Sequence, residues 1–267
     1  MKKVMFAAAV AATGLVFGIE SANTVGYSTK DAEQGKFIIL GAQFDNTDGA
    51  RKVNGLIAGV EGVAYDDDNL FQTTAAQIQV PNASTGGNDT YYYLTDGWYD
   101  DNGNDGYKAG WCDAAGVLVD AELIPAIALW LRSTPGNATA TVAGAVSDDS
   151  SVDVSCPVVF ALRANAFPMP VTINSNTMTS TDIVGVTYDD NNVFQTTAPQ
   201  LQVPNASTGG NDTYYYLTDG WYDDNGADGF KPGWCDAAGV LVDSVIPVAQ
   251  GFWTKGVTGA FTLTFTK

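Results

Sequence analysis

The sequence predicts an all-β protein, built as two tandem homologous β-sandwich-like domains behind a signal peptide. Three observations carry this expectation. The 56-residue stretch Tyr65 to Asp120 recurs at Tyr188 to Asp243 with seven differences and a constant offset of 123. Short runs rich in Val, Ile, Thr, Tyr and Phe alternate with clusters of Asp, Asn, Gly and Pro, the composition of strands and turns. Beyond the first two dozen residues, no stretch long enough for a helix keeps a helical period.

The chain opens with Lys2 and Lys3, continues through an apolar run from Val4 to Phe17, and reaches small or polar residues at Gly18 to Ala22. This is the pattern of a secretory signal peptide. The run is shorter than the roughly 20 apolar residues that span a bilayer. Residues 1–22 are therefore expected to be removed after Ser21 or Ala22. The product is expected outside the cell or on its surface, with no part inserted in a membrane.

The repeat then sets the boundaries. The same offset pairs Phe37 with Phe160, Phe44 with Phe167 and Trp130 with Trp253. One β domain is placed at 23–144 and its copy at 145–267. Predicted strands include Phe37–Phe44, Ile78–Val80, Tyr91–Thr95, Ala126–Leu131 and Ala260–Thr266. The last alternates apolar and hydroxyl residues, as a strand with one buried face must. The loops Pro81–Asp89 and Pro204–Asp212 carry strong turn chemistry. Two sheets packed face to face are the simplest design, with a small barrel as the alternative. Residues 23–64 and 146–187 differ far more than the middles do, through uneven drift or because they face different neighbours.

The net charge is −18, and loss of Lys2, Lys3 and Glu20 takes it to −19. So acidic a chain repels nucleic acid and anionic membranes and attracts divalent cations. Its carboxylates are nearly all Asp, which settles in turns, and no Glu follows Glu122. The richest cluster is Asp96–Gly106, D-G-W-Y-D-D-N-G-N-D-G, with its twin at Asp219–Gly229. Calcium takes six to eight oxygens from tight Asp/Asn/Gly loops. Its candidate ligands are Asp100, Asp101, Asn102 and Asp105, and in the second copy Asp223, Asp224, Asn225 and Asp228. A solvated β-turn has the same composition.

No enzyme is expected. The chain has no histidine, which removes Ser-His-Asp and Cys-His nucleophiles and histidine-bound zinc. No glycine-rich loop joins a strand to a helix, so nucleotide binding has no support. A carboxylate-pair glycosidase would have to work without Glu in the second copy. Cys112 and Cys235 are repeat twins and Cys156 is unmatched. Outside the cell a bridge is expected, either Cys112–Cys156 or Cys156–Cys235, with the third thiol free, buried or bonded to another chain. Sugar stacking is a candidate role for Trp98, Tyr99, Trp221 and Tyr222, although such rings more often fill a core.

The start A-N-T-V-G-Y (Ala22–Tyr27) followed by G-K-F-I-I-L-G (Gly35–Gly41), and the ending I-P-V-A-Q-G-F-W (Ile246–Trp253), resemble a loose group of exported bacterial β-domain proteins. The first copy departs from that ending with I-P-A-I-A-L-W (Ile124–Trp130). The resemblance implies export and β structure. Together these features lead to the expectation of a non-enzymatic structural subunit of an extracellular filament or surface layer. Its partners would be copies of itself, joined by head-to-tail β-domain contacts. The alternative is a secreted or cell-surface carbohydrate-binding protein, with glycans as partners.

Overall fold

A computed structural model describes residues 25–45, 51–82, 84–99, 105–119, 121–223 and 228–267. The expected signal peptide lies outside them. Among the described residues are eighteen strands and only three four-residue helical turns. No helix among them is long and apolar enough to cross a membrane.

The first half contributes β1 (Val25–Ala32), β2 (Phe37–Gly41), the turn α1 (Val53–Leu56), β3 (Ile57–Ala58), α2 (Phe71–Thr74) and β4 (Gln77–Asn82). The hairpin β5 (Gly87–Tyr99) and β6 (Gly106–Cys112) follows, then β7 (Ala128–Arg132) and β8 (Ala138–Ala145). The second half contributes β9 (Ser151–Cys156), β10 (Ala161–Ala164), β11 (Val171–Thr172), β12 (Met178–Thr181), α3 (Phe194–Thr197) and β13 (Gln200–Pro204). It closes with β14 (Asn211–Tyr222), β15 (Gly229–Cys235), β16 (Val245–Ile246), β17 (Gly251–Lys255) and β18 (Phe261–Thr266).

The halves carry sheets of matching order. A five-stranded antiparallel sheet runs β2-β7-β4-β5-β6 in the first and β10-β17-β13-β14-β15 in the second. A three-stranded sheet runs β1-β8-β3 in the first, and β9-β18-β12 in the second. Each three-stranded sheet covers one face of its five-stranded partner, which makes a sandwich. In the first core Leu40, Ile78, Leu129, Leu131 and Trp111 meet Ile57, Ala140 and Val142. In the second, Leu201, Phe252 and Trp234 meet Val154, Met178, Leu263 and Phe265. Each half keeps its own sandwich core, and among the described buried members of the two cores Ala249 enters the first and Ala126 the second.

Sequence pattern explains the local structure. In β18 burial alternates along Phe261–Thr266, with Phe261, Leu263 and Phe265 inward. In β5 the alternation sends Tyr91 and Tyr93 toward the sandwich core, and Tyr92 to the opposite face against Phe71. The diverged segments still supply equivalent strands, because β1 and β9 pair with the equivalent strands β8 and β18.

The acidic turns hold the loops in place. Asp66 accepts the backbone N–H groups of Leu70 and Phe71 at the start of α2, and Asp189 does the same for Val193 and Phe194 at α3. Asp96 and Asp219 accept from Tyr65 and Tyr188. Asp113 and Asp236 each accept two backbone N–H groups of their own loops. This side-chain to backbone bonding is what Asp does best in turns.

Candidate functional site

The most developed site among the described residues is the surface on which the two repeats meet. The Gly41 N–H donates to the Ala249 carbonyl at 2.9 Å, and the Ala164 N–H donates to the Ala126 carbonyl at 2.8 Å. Gly41 and Ala164 are repeat twins, as are Ala126 and Ala249, so the two bonds are one bond written twice. The isolated bridges Leu40–Gln250 and Ile127–Arg163 are related in the same way. Reciprocal bonds of this kind define an isologous, two-fold contact. Between the repeats of one chain the packing is therefore face to face rather than head to tail.

Residues on the pseudo-axis meet their own twins. The Trp130 and Trp253 rings lie 5.5 Å apart, tilted by 56°. Beneath them Ile39, Ala128, Leu162 and Ala164 form a small buried cluster. Small residues let the sheets approach. A Cβ added to Gly41 would stand 2.8 Å from that of Ala164, and one added to Gly251 would stand 2.5 Å from that of Ala128. The carbonyl acceptors Ala126 and Ala249 sit at φ 56° and 59°, a left-handed conformation that costs a residue with a Cβ about 1–2 kcal/mol. Both ends of the contact carry the same strain.

Side-chain clips break the symmetry. Lys30 donates to the Ile39 carbonyl and to Gln250 Oε1, each at 2.8 Å. Burial lowers its pKa from 10.5 to about 8. Gln43 Oε1 accepts the Ala249 N–H at 2.8 Å. The twins of Lys30 and Gln43 are Asp153 and Ala166, so neither clip has a counterpart.

A second feature recurs in each repeat beside the long hairpin. In the first, a groove of about 570 Å³ is lined by Ile57, Ala58, Tyr93, Tyr99, Leu118 and Val119, among others. Its counterpart measures about 260 Å³ and is lined in part by Asn176, Met178, Thr179 and Ser180. An asparagine anchors each. Asn54 accepts the Trp111 N–H and donates to the carbonyls of Trp111 and Val119. Asn174 makes the same three bonds to Trp234 and Val242. These residues stand 120 apart rather than 123, so the alignment of the repeats conceals their equivalence.

The candidate sugar-stacking rings are all half-buried. Lys108 stands 4.8 Å over the Tyr99 ring and Lys231 stands 5.0 Å over that of Tyr222, so one face of each ring is already taken. Trp98 lies opposite Tyr107, and Trp221 opposite Phe230. Tyr99 lines the larger groove.

Of the calcium candidates, Asp105, Asp223 and Asp228 are exposed at the hairpin tips. Asp100, Asp101, Asn102, Asp224 and Asn225 lie outside the described residues. Among the described residues no three His, Cys, Asp or Glu side chains form a group able to hold a metal ion.

The expected disulfides are not formed. Cys112, Cys156 and Cys235 are all free and buried. Each thiol is enclosed by a different apolar cluster: Cys112 with Phe71 and Leu94, Cys235 with Phe194 and Leu217, Cys156 between the sheets with Phe261 and Leu263. Three separate cores keep the sulfurs apart. Burial, with the Asp113 or Asp236 carboxylate adding to it, pushes the Cys112 and Cys235 thiols up to about 12. Burial raises Cys156 as well. None is poised as a nucleophile.

Comparison with protein-family models, with curated proteins and with solved structures found no match.

Proposed function

We propose that the chain is a non-enzymatic structural subunit of an extracellular filament or surface layer, assembled from copies of itself. One observation carries this reading: the repeat already recognises its own kind, burying the same outer sheet surface of each copy against the other around Trp130 and Trp253. The lack of histidine, the protonated buried thiols and the use of Asp to staple turns favour a non-catalytic role. An isologous contact closes on itself, so growth between chains must use another, unlike pair of surfaces. Export by residues 1–22 belongs to the same proposal, as does calcium at the two acidic hairpin tips. Negative-stain microscopy of the mature chain, with and without a chelator, tests it. Filaments or sheets are expected, and dispersed particles of single-chain size under both conditions would contradict it.

The alternative is binding of carbohydrate. It is favoured by the larger groove, where Tyr93 and Tyr99 stand beside the Asn54 amide and Lys108. Glycan capture that disappears with Tyr99→Ala would support it.

A further inference from the structure

The outer faces of the two large sheets are sorted by charge. Strands β2, β7 and β4 and their twins β10, β17 and β13 contain no Asp or Glu, in a chain that has 30 of them. Strand alternation fixes what they carry outward instead. Leu129 and Leu131 enter the first core, so Ala128, Trp130 and Arg132 face away from it. Phe252 enters the second core, so Gly251, Trp253 and Lys255 face away from that one.

These outward residues extend the Trp130–Trp253 pair along both sheets. The Phe37 ring packs edge-on against Trp130 at 6.2 Å, and the Arg132 guanidinium stands 5.8 Å over Phe37. At the twin positions, Lys255 stands 5.2 Å over the Phe160 ring. Phe37 and Phe160 are 42 and 47 % exposed, and the two Trp and the two cations are partly so. The two-fold relation thus yields one stripe, with indoles at its centre and a phenyl ring under a cation at each end. Neither cation is neutralised. The ion pairs among the described residues are Lys36–Glu33 and Arg51–Asp45, and the side chains of Arg132 and Lys255 make no hydrogen bond there. Amides flank the indoles, since Gln79 lies opposite Trp130 in the ladder and Gln202 lies opposite Trp253.

We infer that this stripe binds an acidic oligosaccharide, its pyranose rings stacked on Trp130 and Trp253 and its carboxylates held by Arg132 and Lys255. Aromatic rings with one polar end suit a ligand that is apolar on its faces and wet at its edges, and a few placed polar groups fix its orientation. Gln79 and Gln202 supply those groups for hydroxyls. An apolar partner would leave both cations unanswered, and a neutral sugar would not use them. A cation at each end of the stripe suits a polymer in which the acid recurs. The acidic hairpins do not oppose this locally. They join β5 to β6 and β14 to β15, and β6 lies three strands from β7, about 14 Å away. Salt screens charge over about 8 Å under physiological conditions. The stripe lies apart from the groove at Tyr99, and it stands whether or not the chain assembles.

Titration calorimetry of the full chain with oligogalacturonate tests this. Saturable binding is expected, and Arg132→Gln and Lys255→Gln should each weaken it about tenfold. Trp130→Leu should weaken it by at least as much, with Trp253→Leu in its place if circular dichroism finds the first variant unfolded. Lys108→Gln, which removes a cation stacked on Tyr99 outside the stripe, should bind like the wild type. No binding at millimolar oligogalacturonate would overturn the inference, as would an equal loss in Lys108→Gln. Equal affinity for an uncharged cello-oligosaccharide of the same length would refute the role of the cations. Equal affinity for polyglutamate would show that charge alone is recognised, and would refute the sugar. Filament formation by the wild type bears on the assembly reading only, so the two proposals fail separately.

Discussion

Trp130 and Trp253 hold the same position in two copies of one repeat, and their rings pack 5.5 Å apart across the junction. A residue can touch its own twin only on or near a two-fold axis. That geometry, rather than a string of separate beads, organises the molecule. The Gly41–Ala249 and Ala164–Ala126 backbone bonds flank the rings on either side.

Mutating the rings should expose their coupling. Trp130→Ala and Trp253→Ala are each expected to cost about 2 kcal/mol, less than a fully buried Trp because both rings are half-exposed. The double variant should lose about 1 kcal/mol less than the two single losses combined, since the ring pair is lost only once. A urea-unfolding double-mutant cycle measures this, and strict additivity would mean that the rings do not interact.

Asn54→Ala and Asn174→Ala should be among the most damaging polar substitutions, the first costing about 3 kcal/mol. Each leaves three backbone partners unpaired beside a buried Trp. Asn174 sits at φ 61° whereas Asn54 sits at φ −70°. The second substitution should therefore cost about 1 kcal/mol more, because Ala tolerates the left-handed region poorly. Chemical denaturation of the two variants side by side checks the order.

The three thiols should be inert in the native protein and countable once it unfolds. A thiol reagent without reductant is expected to modify none of them natively and all three in denaturant. The pH dependence has a definite sign. In the fold Cys112 and Cys235 keep their protons until about pH 12, while unfolded thiols release theirs from about 9. Rising pH in that window favours the unfolded chain. Wild type should lose stability relative to a Cys112→Ser, Cys235→Ser variant between pH 9 and 12 and keep its full margin below 9.

Lys30 carries the opposite sign. Its folded pKa is about 8 against 10.5 when exposed, so between those values the unfolded chain binds the extra proton. Stability should rise with pH across that interval relative to Lys30→Met, and burial of the ammonium should count fully against the fold below pH 8. Carbon-detected NMR of the Lys30 side chain should find its midpoint near 8, and a midpoint near 10.5 would place the amine in water.

Much of the fold was legible in the sequence because strand alternation and turn chemistry are local. The Ala260–Thr266 alternation and the Pro81–Asp89 turn translate directly into β18 and the β4–β5 hairpin. The meeting of the repeats was not legible. The residues that permit it are Gly41 against Ala164 and Ala128 against Gly251, small residues whose role exists only when two distant surfaces approach. Asn54 and Asn174 are hidden in the sequence for a different reason. Loops of different length carry them to the same place, so matching function sits at unmatched positions. The cysteine count suggested a bridge, but counting cannot reveal that each sulfur points into a separate core. The composition of the acidic hairpin tips fits a metal loop and a solvated turn alike, and Asp66, Asp96 and Asp113 illustrate the use of the same residue type as a backbone staple.

Self-recognition through folded surfaces is the claim on which the functional account stands, and sedimentation of the chain over a wide concentration range tests it most directly. The account predicts a weight-average mass that climbs past two chains and keeps climbing as concentration rises. A single sharp boundary at the mass of one chain, unchanged up to millimolar concentration with calcium present, would contradict it.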